Sequence, residues 1–101
     1  MGNIDLIAIV LQAVNELNDQ LEERIRIPVS SDTPLFGKGG KLDSLSLVTL
    51  ILIVEEKLFD ELGVKITIAD DRAMSQKRSP FRNVMSLAEY ANMLIQEKQN
   101  G

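Results

Sequence analysis

The sequence predicts an all-α fold, a small bundle of three or four helices in one domain spanning residues 1–101. Hydrophobic residues make up 45% of the chain, which suffices for a single core. Only 4% of residues are aromatic and none is Trp, so the core must consist mainly of Leu, Ile and Val. Apolar residues also recur at helical spacing in three separate stretches.

The first apolar stripe predicts a helix over about residues 3–23. Asn3 or Asp5 can cap its N-terminus, and Pro28 prevents continuation beyond Ile27. The residues of the stripe lie three or four positions apart and share one face: Ile4, Ile7, Val10, Leu11, Val14, Leu17 and Leu21.

A long loop is expected over residues 24–43, between the first and second helices. Its main part, PVSSDTPLFGKGGKLD, contains two Pro and three Gly residues. A loop of this length in a small helical domain is uncommon and is usually functional or anchored to the core. We expect Leu35 and Phe36 to be the anchor.

The second helix is predicted over about residues 44–62. Asp43 or Ser44 can cap its start, and Gly63 can cap its end. Apolar residues cover more than half of its circumference, so it is either mostly buried or has a second apolar face for another molecule. The expected core residues are Leu50, Ile51, Val54 and Leu58.

Residues 64–84 are predicted to form a loop with at most one short helix. Residues 64–68 alternate as a strand does, but no second strand is evident, so we expect an extended linker that buries Ile66 and Ile68. Met74 and Phe81 are expected to point inward. This region has a local excess of basic residues: Arg72, Lys77, Arg78 and Arg82.

A last helix is predicted over about residues 86–98. Ser86 followed by Glu89 has the spacing of a capping box. The expected apolar face consists of Leu87, Tyr90, Ala91, Leu94 and Ile95.

Composition excludes several classes of function. The formal net charge of -4 disfavours nucleic acid as a partner and favours basic protein surfaces. With no Cys and no His, the chain lacks thiolate ligands, a cysteine nucleophile and the commonest general base, so we expect no metal site. The N-terminus does not resemble a secretory signal, and the apolar run over residues 45–54 is too short to cross a membrane. We therefore expect a cytoplasmic protein without membrane insertion.

Asp43 and Ser44 stand at the start of the most apolar segment, KLDSLSLVTLILIVEE. The simplest interpretation is that both only cap a helix. In context, however, GGKLDSL ends a long loop and opens the second helix of a small acidic bundle. This arrangement resembles the acyl and peptidyl carrier protein family, in which an Asp-Ser-Leu motif begins helix II. The resemblance covers nearly the whole chain, including the late Ser-Pro-Phe before the last helix.

The resemblance implies a bundle of acyl-carrier-protein type with 4'-phosphopantetheine attached covalently, from coenzyme A, to Ser44. The chain would then be a substrate of a phosphopantetheinyl transferase and of acyl- or aminoacyl-loading and downstream enzymes, not itself an enzyme. The resemblance also implies that Leu45, Val48 and Leu52 form an exposed apolar strip beside the phosphopantetheine arm. The spacing of Val48 and Leu52 alone fits a position in the core equally well. The implied partner-recognition residues are Asp43, Leu45, Val48, Leu52, Glu55 and Glu56.

The chain also departs from the family's pattern. Ser46 and Thr49 stand where members that serve fatty-acid synthesis usually have acidic residues, and Lys41 and Leu42 separate Gly40 from the Asp-Ser pair. These differences favour a specialised, stand-alone and monomeric carrier for a polyketide, lipid-modifying or aminoacyl pathway.

Two other functions compete with a carrier. In one, the chain is an unmodified helical interaction module whose apolar strip docks on a partner while Ser44 only caps. In the other, Ser44 and Asp43 form a small hydrolase site. The hydrolase is disfavoured because adjacent residues do not readily form a nucleophile and base relay.

Overall fold

The computed structural model describes residues 5–37, 39–69 and 79–100. Within these ranges the chain is helical and contains no β-strand, which confirms the small helical bundle. The first helix packs against both of the others. The radius of gyration of 13.0 Å is that of a compact domain of this length. The elements, in order, are α1 (Leu6–Gln20), a 3-10 turn (Glu23–Ile25), α2 (Ser44–Leu62) and α3 (Val84–Asn100).

The core combines the inner faces of the three helices with side chains from the connecting segments. Helices α2 and α3 bury the residues predicted for their inner faces. In α1 the predicted stripe is only partly correct: Val10, Val14 and Leu17 are buried, Ile7 and Leu11 are only partly buried, and Ile9 and Ala13 are buried as well. The loop after α1 contributes Leu35, which is fully buried. Phe36 is only partly buried against this core. The largest fully buried helical side chains are Leu17, Leu50, Leu58 and Leu87.

Helix α1 is shorter than the predicted span of residues 3–23. It begins after Asp5, whose carboxylate accepts a hydrogen bond of 3.1 Å from the backbone N–H of Ala8. Asn3, the other candidate cap, lies outside the described residues. The helix ends at Gln20 because the chain turns back at Leu21, whose N–H donates to the Asn18 carbonyl.

Asn18 explains this early end. Its buried side chain donates to the carbonyl of Ile27 at 2.8 Å and accepts from the N–H of Ile27 at 2.9 Å. The Arg26 guanidinium donates to the backbone carbonyls of Asn18 and Leu21 at the helix end. Arg26 thus provides donors for carbonyl groups at the helix end, which backbone N–H groups would pair with if the helix continued for another turn.

Helix α2 has the bounds that its capping residues predict. Gly63 ends it with a φ of 66°, and its N–H donates to the carbonyl of Phe59 at 2.9 Å. A positive φ of this kind favours glycine over any residue with a Cβ atom. An ion pair between Lys57 and Glu16 joins α2 to α1.

The predicted cap of the last helix was wrong. Helix α3 begins at Val84, two residues before Ser86, and Asn83 is the cap: its side chain accepts from the N–H of Ser86 at 2.7 Å. The Ser86 hydroxyl accepts from the N–H of Asn83, so these two residues form the reciprocal pair expected of Ser86 and Glu89. The helix continues to Asn100, two residues beyond the predicted end.

The segment after α2 is extended, as predicted, and buries Ile66 and Ile68. Phe81 is also buried. The predicted short helix and the inward orientation of Met74 fall mainly on residues 70–78, which lie outside the described residues.

Candidate functional site

Ser44 is the first residue of α2, and its side chain is exposed. Among the described residues, its hydroxyl forms no hydrogen bond. The backbone N–H groups of Ser44 and Leu45 likewise have no acceptor in the described part of the chain, as is usual in the first turn of a helix. The hydroxyl is therefore accessible, and it lies beside free donors and the positive end of the helix dipole.

Asp43 caps α2 and is not oriented as a base toward Ser44. Its carboxylate accepts from the N–H of Ser46 at 2.7 Å, and its carbonyl accepts from the N–H of Leu47 at 3.0 Å. The backbone hydrogen bond from Ser46, assisted by the Ser46 hydroxyl, holds the pKa of the Asp43 carboxyl below its ordinary value of 3.8. Because the Asp43 carboxylate is engaged by Ser46, the geometry does not support the hypothesis of a hydrolase site.

The lowered pKa of Asp43 predicts how the cap responds to acid. The stabilisation is present above the unfolded-state pKa and is lost as the pH falls through the lower folded-state pKa. Asparagine caps helices comparably but does not titrate. We therefore expect Asp43→Asn to leave the urea midpoint nearly unchanged at pH 7, and to reduce the loss of stability between pH 7 and about pH 2.5. An equal loss in both proteins would contradict a stabilising role for the ionised cap.

The loop before Ser44 is fixed by backbone hydrogen bonds. The N–H of Leu42 donates to the carbonyl of Leu35 at 3.0 Å, which closes a turn. From the other side, the N–H groups of Leu35 and Phe36 donate to the carbonyls of Arg82 and Phe81 at 2.9 and 3.1 Å. Buried Leu35 and Leu42 side chains anchor the same turn. The position of Ser44 is thus set from both sides, by this turn and by α2.

The apolar strip beside Ser44 lies on the surface. Leu45, Val48 and Leu52 are 74%, 49% and 57% exposed, whereas Leu50, Ile51, Val54 and Leu58 are buried as predicted. Val48 and Leu52 are therefore surface residues and not core residues, which their spacing alone could not decide. Phe59, which sequence reasoning did not single out, is 54% exposed. Its position seven residues after Leu52 places it on the same face of α2.

The two glutamates of α2 differ in their surroundings. Glu55 is half-buried, and its carboxylate accepts from the backbone N–H of Ile68 at 2.7 Å. Glu56 is exposed. Glu55 therefore has a structural role in holding the 64–68 segment against α2, which leaves Glu56 as the freer of the two to meet a partner.

Comparisons of the chain with known protein families, curated proteins and solved structures found no match in any of the three. None of the described helices is long and apolar enough to cross a membrane. The proposed function therefore depends on the chain's own geometry and on the sequence resemblance around Ser44.

Proposed function

We propose that the chain is a carrier protein that holds acyl or aminoacyl intermediates as thioesters on a 4'-phosphopantetheine arm attached to Ser44. The observation that carries this proposal is the exposed, unengaged Ser44 hydroxyl, which directly follows the Asp43 cap at the start of α2. The arm would supply the thiol that this chain lacks, since the sequence contains no Cys.

The residues around Ser44 fit such a group. The free N–H groups of Ser44 and Leu45 and the positive helix end favour a phosphodiester. On attachment, the Ser44 oxygen would form a bond to the phosphorus of coenzyme A that carries the pantetheine, and the bond from that phosphorus to the adenosine bisphosphate would break. The hydroxyl proton would pass to a base of the phosphopantetheinyl transferase, because the chain has no His and the Asp43 carboxylate is engaged by Ser46.

The exposed strip fits contacts with that transferase and with loading and downstream enzymes. Asp43 and Leu45 flank the attachment site directly. Val48 and Leu52 extend the apolar surface along α2, and Glu56 adds a negative charge near its far end. Exposed charge of this kind mainly affects encounter rate and partner choice. The polar residues Ser46 and Thr49, in place of acidic ones, favour partners in a specialised cytoplasmic pathway.

The test is the intact mass after incubation with coenzyme A, magnesium and a broad-specificity phosphopantetheinyl transferase. We expect the parent protein to gain one phosphopantetheine and Ser44→Ala to gain none. Ser46→Ala is the matched control, since it removes a neighbouring hydroxyl, and it should still be modified. No mass gain in parent protein shown by circular dichroism to be folded would contradict the proposal.

The alternative function is an unmodified helical interaction module. The exposed apolar strip on α2 favours it, because such a face can dock on a partner whether or not Ser44 is modified. The same mass measurement separates the two functions, since the module requires no group on Ser44.

A further inference from the structure

One exposed lysine, Lys41, stands three residues before Ser44. It belongs to a segment, residues 41–43, that contains neither helix nor turn and ends with extended backbone at Asp43. Leu42, in the middle of the segment, is buried, and its N–H donates to a carbonyl of the preceding loop at 3.0 Å, which fixes the orientation of the segment. Because neighbouring side chains alternate along an extended chain, Lys41 leaves the backbone on the same outer side as Asp43.

That outer side is the side on which α2 begins. The Asp43 carboxylate lies over the first turn of the helix, where it accepts from the Ser46 N–H at 2.7 Å. Lys41 and Ser44 are three residues apart, so their Cα atoms are separated by at most about 10 Å. The flexible four-carbon stem of lysine spans much of this distance. The Lys41 ammonium group can therefore reach a group carried on the Ser44 oxygen.

The charges around Ser44 leave this lysine without a described partner. Among the described residues in the range 35–54, the charged side chains are Lys41 and Asp43. Lys41 forms no ion pair with any described residue, and the Asp43 carboxylate is engaged as the helix cap. With a phosphodiester on Ser44, a second negative charge would lie next to Asp43, and like charges at this spacing repel each other. A nearby unpaired cation would offset that repulsion.

We propose that Lys41 forms an ion pair with the phosphodiester on Ser44 and so holds the first link of the arm at the start of α2. The inference rests on the proposed function, because it concerns the phosphopantetheine group. Ammonium and phosphate form charge-assisted hydrogen bonds, which are stronger than neutral ones. Lys41 is also one of the residues at which the chain departs from the family's pattern, so the resemblance does not account for it. Its role is that of a positioning residue.

The experiment compares the phosphorus NMR signal of the modified parent chain with that of modified variants. The transferase first modifies each protein, and the intact mass confirms one phosphopantetheine. We expect the parent signal to move when NaCl is raised to about 1 M, because a Debye length of about 3 Å then screens an exposed ion pair. Lys41→Gln should shift the signal at low salt and should lose most of this salt dependence. Lys41→Arg keeps the charge and should retain it.

Lys65→Gln is the matched control, because Lys65 is also exposed but lies beyond the other end of α2. It should behave as the parent does. In the parent, the Cε signal of Lys41 should shift on modification, and that of Lys65 should not. A phosphorus signal that is the same in the parent and in Lys41→Gln, or that Lys65→Gln changes equally, would overturn the inference and leave the carrier function standing. A folded parent protein that gains no phosphopantetheine would overturn both.

Discussion

Replacing Asn18 with leucine is expected to lower the free energy of unfolding by about 2–6 kcal/mol, because it leaves two buried backbone groups without partners at about 1–3 kcal/mol each. The Asn18 side chain is only 8% exposed and bonds both the N–H and the carbonyl of Ile27. Leucine has a similar size but neither a donor nor an acceptor. Urea denaturation measures the change directly.

Asn15→Leu provides the matched control for this prediction. Asn15 lies one turn earlier on α1 and is exposed, so the same substitution there should change stability by less than about 0.5 kcal/mol. Asn18→Asp should also lower stability: the carboxylate can still accept from the Ile27 N–H, but it cannot donate to the Ile27 carbonyl and places a charged oxygen against it. If Asn18→Leu is as stable as Asn15→Leu, the Asn18 side chain does not hold the loop.

The helical architecture follows from local sequence signals. The predictions were wrong at helix ends whose positions are set by tertiary contacts. The spacing of apolar residues predicted the three helices, and Gly63 predicted the end of α2. Asp43 and Ser44 were both candidates for its N-cap, and the structure shows that Asp43 is the cap. The early end of α1 depends on Asn18 reaching Ile27, nine residues away, which periodicity does not reveal. The predicted start of α3 was wrong because Asn83 and Ser86 are both residues that can cap a helix N-terminus. The carbonyls of Thr33 and Ser31, which accept from the first N–H groups of α3, favour the earlier start.

Some features of the candidate site could likewise be predicted from the sequence, and others depend on tertiary contacts. The position of Ser44 behind an Asp cap is a local property and was predictable. The exposure of Val48 and Leu52 was not, because the apolar residues of α2 surround most of the helix and only packing shows which face remains open. Glu55 and Glu56 are adjacent and chemically identical, yet a single contact with Ile68 distinguishes them. The same holds for Phe59, whose exposure depends on packing and not on its spacing along α2.

Gly40→Ala is the second substitution with a large expected effect, and it acts on the turn that positions Ser44. A Cβ atom on Gly40 would lie 2.5 Å from the carbonyl oxygen of Leu35 and 2.7 Å from the nitrogen of Phe36. These are backbone atoms, and hydrogen bonds to Arg82 and Phe81 hold them from the other side. The backbone of Leu35 and Phe36 therefore cannot move away from Gly40 without breaking these hydrogen bonds. We expect a loss of about 1–3 kcal/mol, the usual cost of overpacking.

Gly37→Ala separates crowding from backbone strain in the same turn. Gly37 has a φ of 91° but open space around its Cα, so its substitution strains only the local backbone. Gly40→Ala should also shift the amide signals of Leu42, Asp43 and Ser44, because the bond from Leu42 to Leu35 lies between the crowded atoms and the helix start. Slower modification of Ser44 should accompany these shifts. A destabilised Gly40→Ala protein with unchanged signals at Asp43 and Ser44 would show that α2 alone positions the serine, and that the turn contributes only to stability.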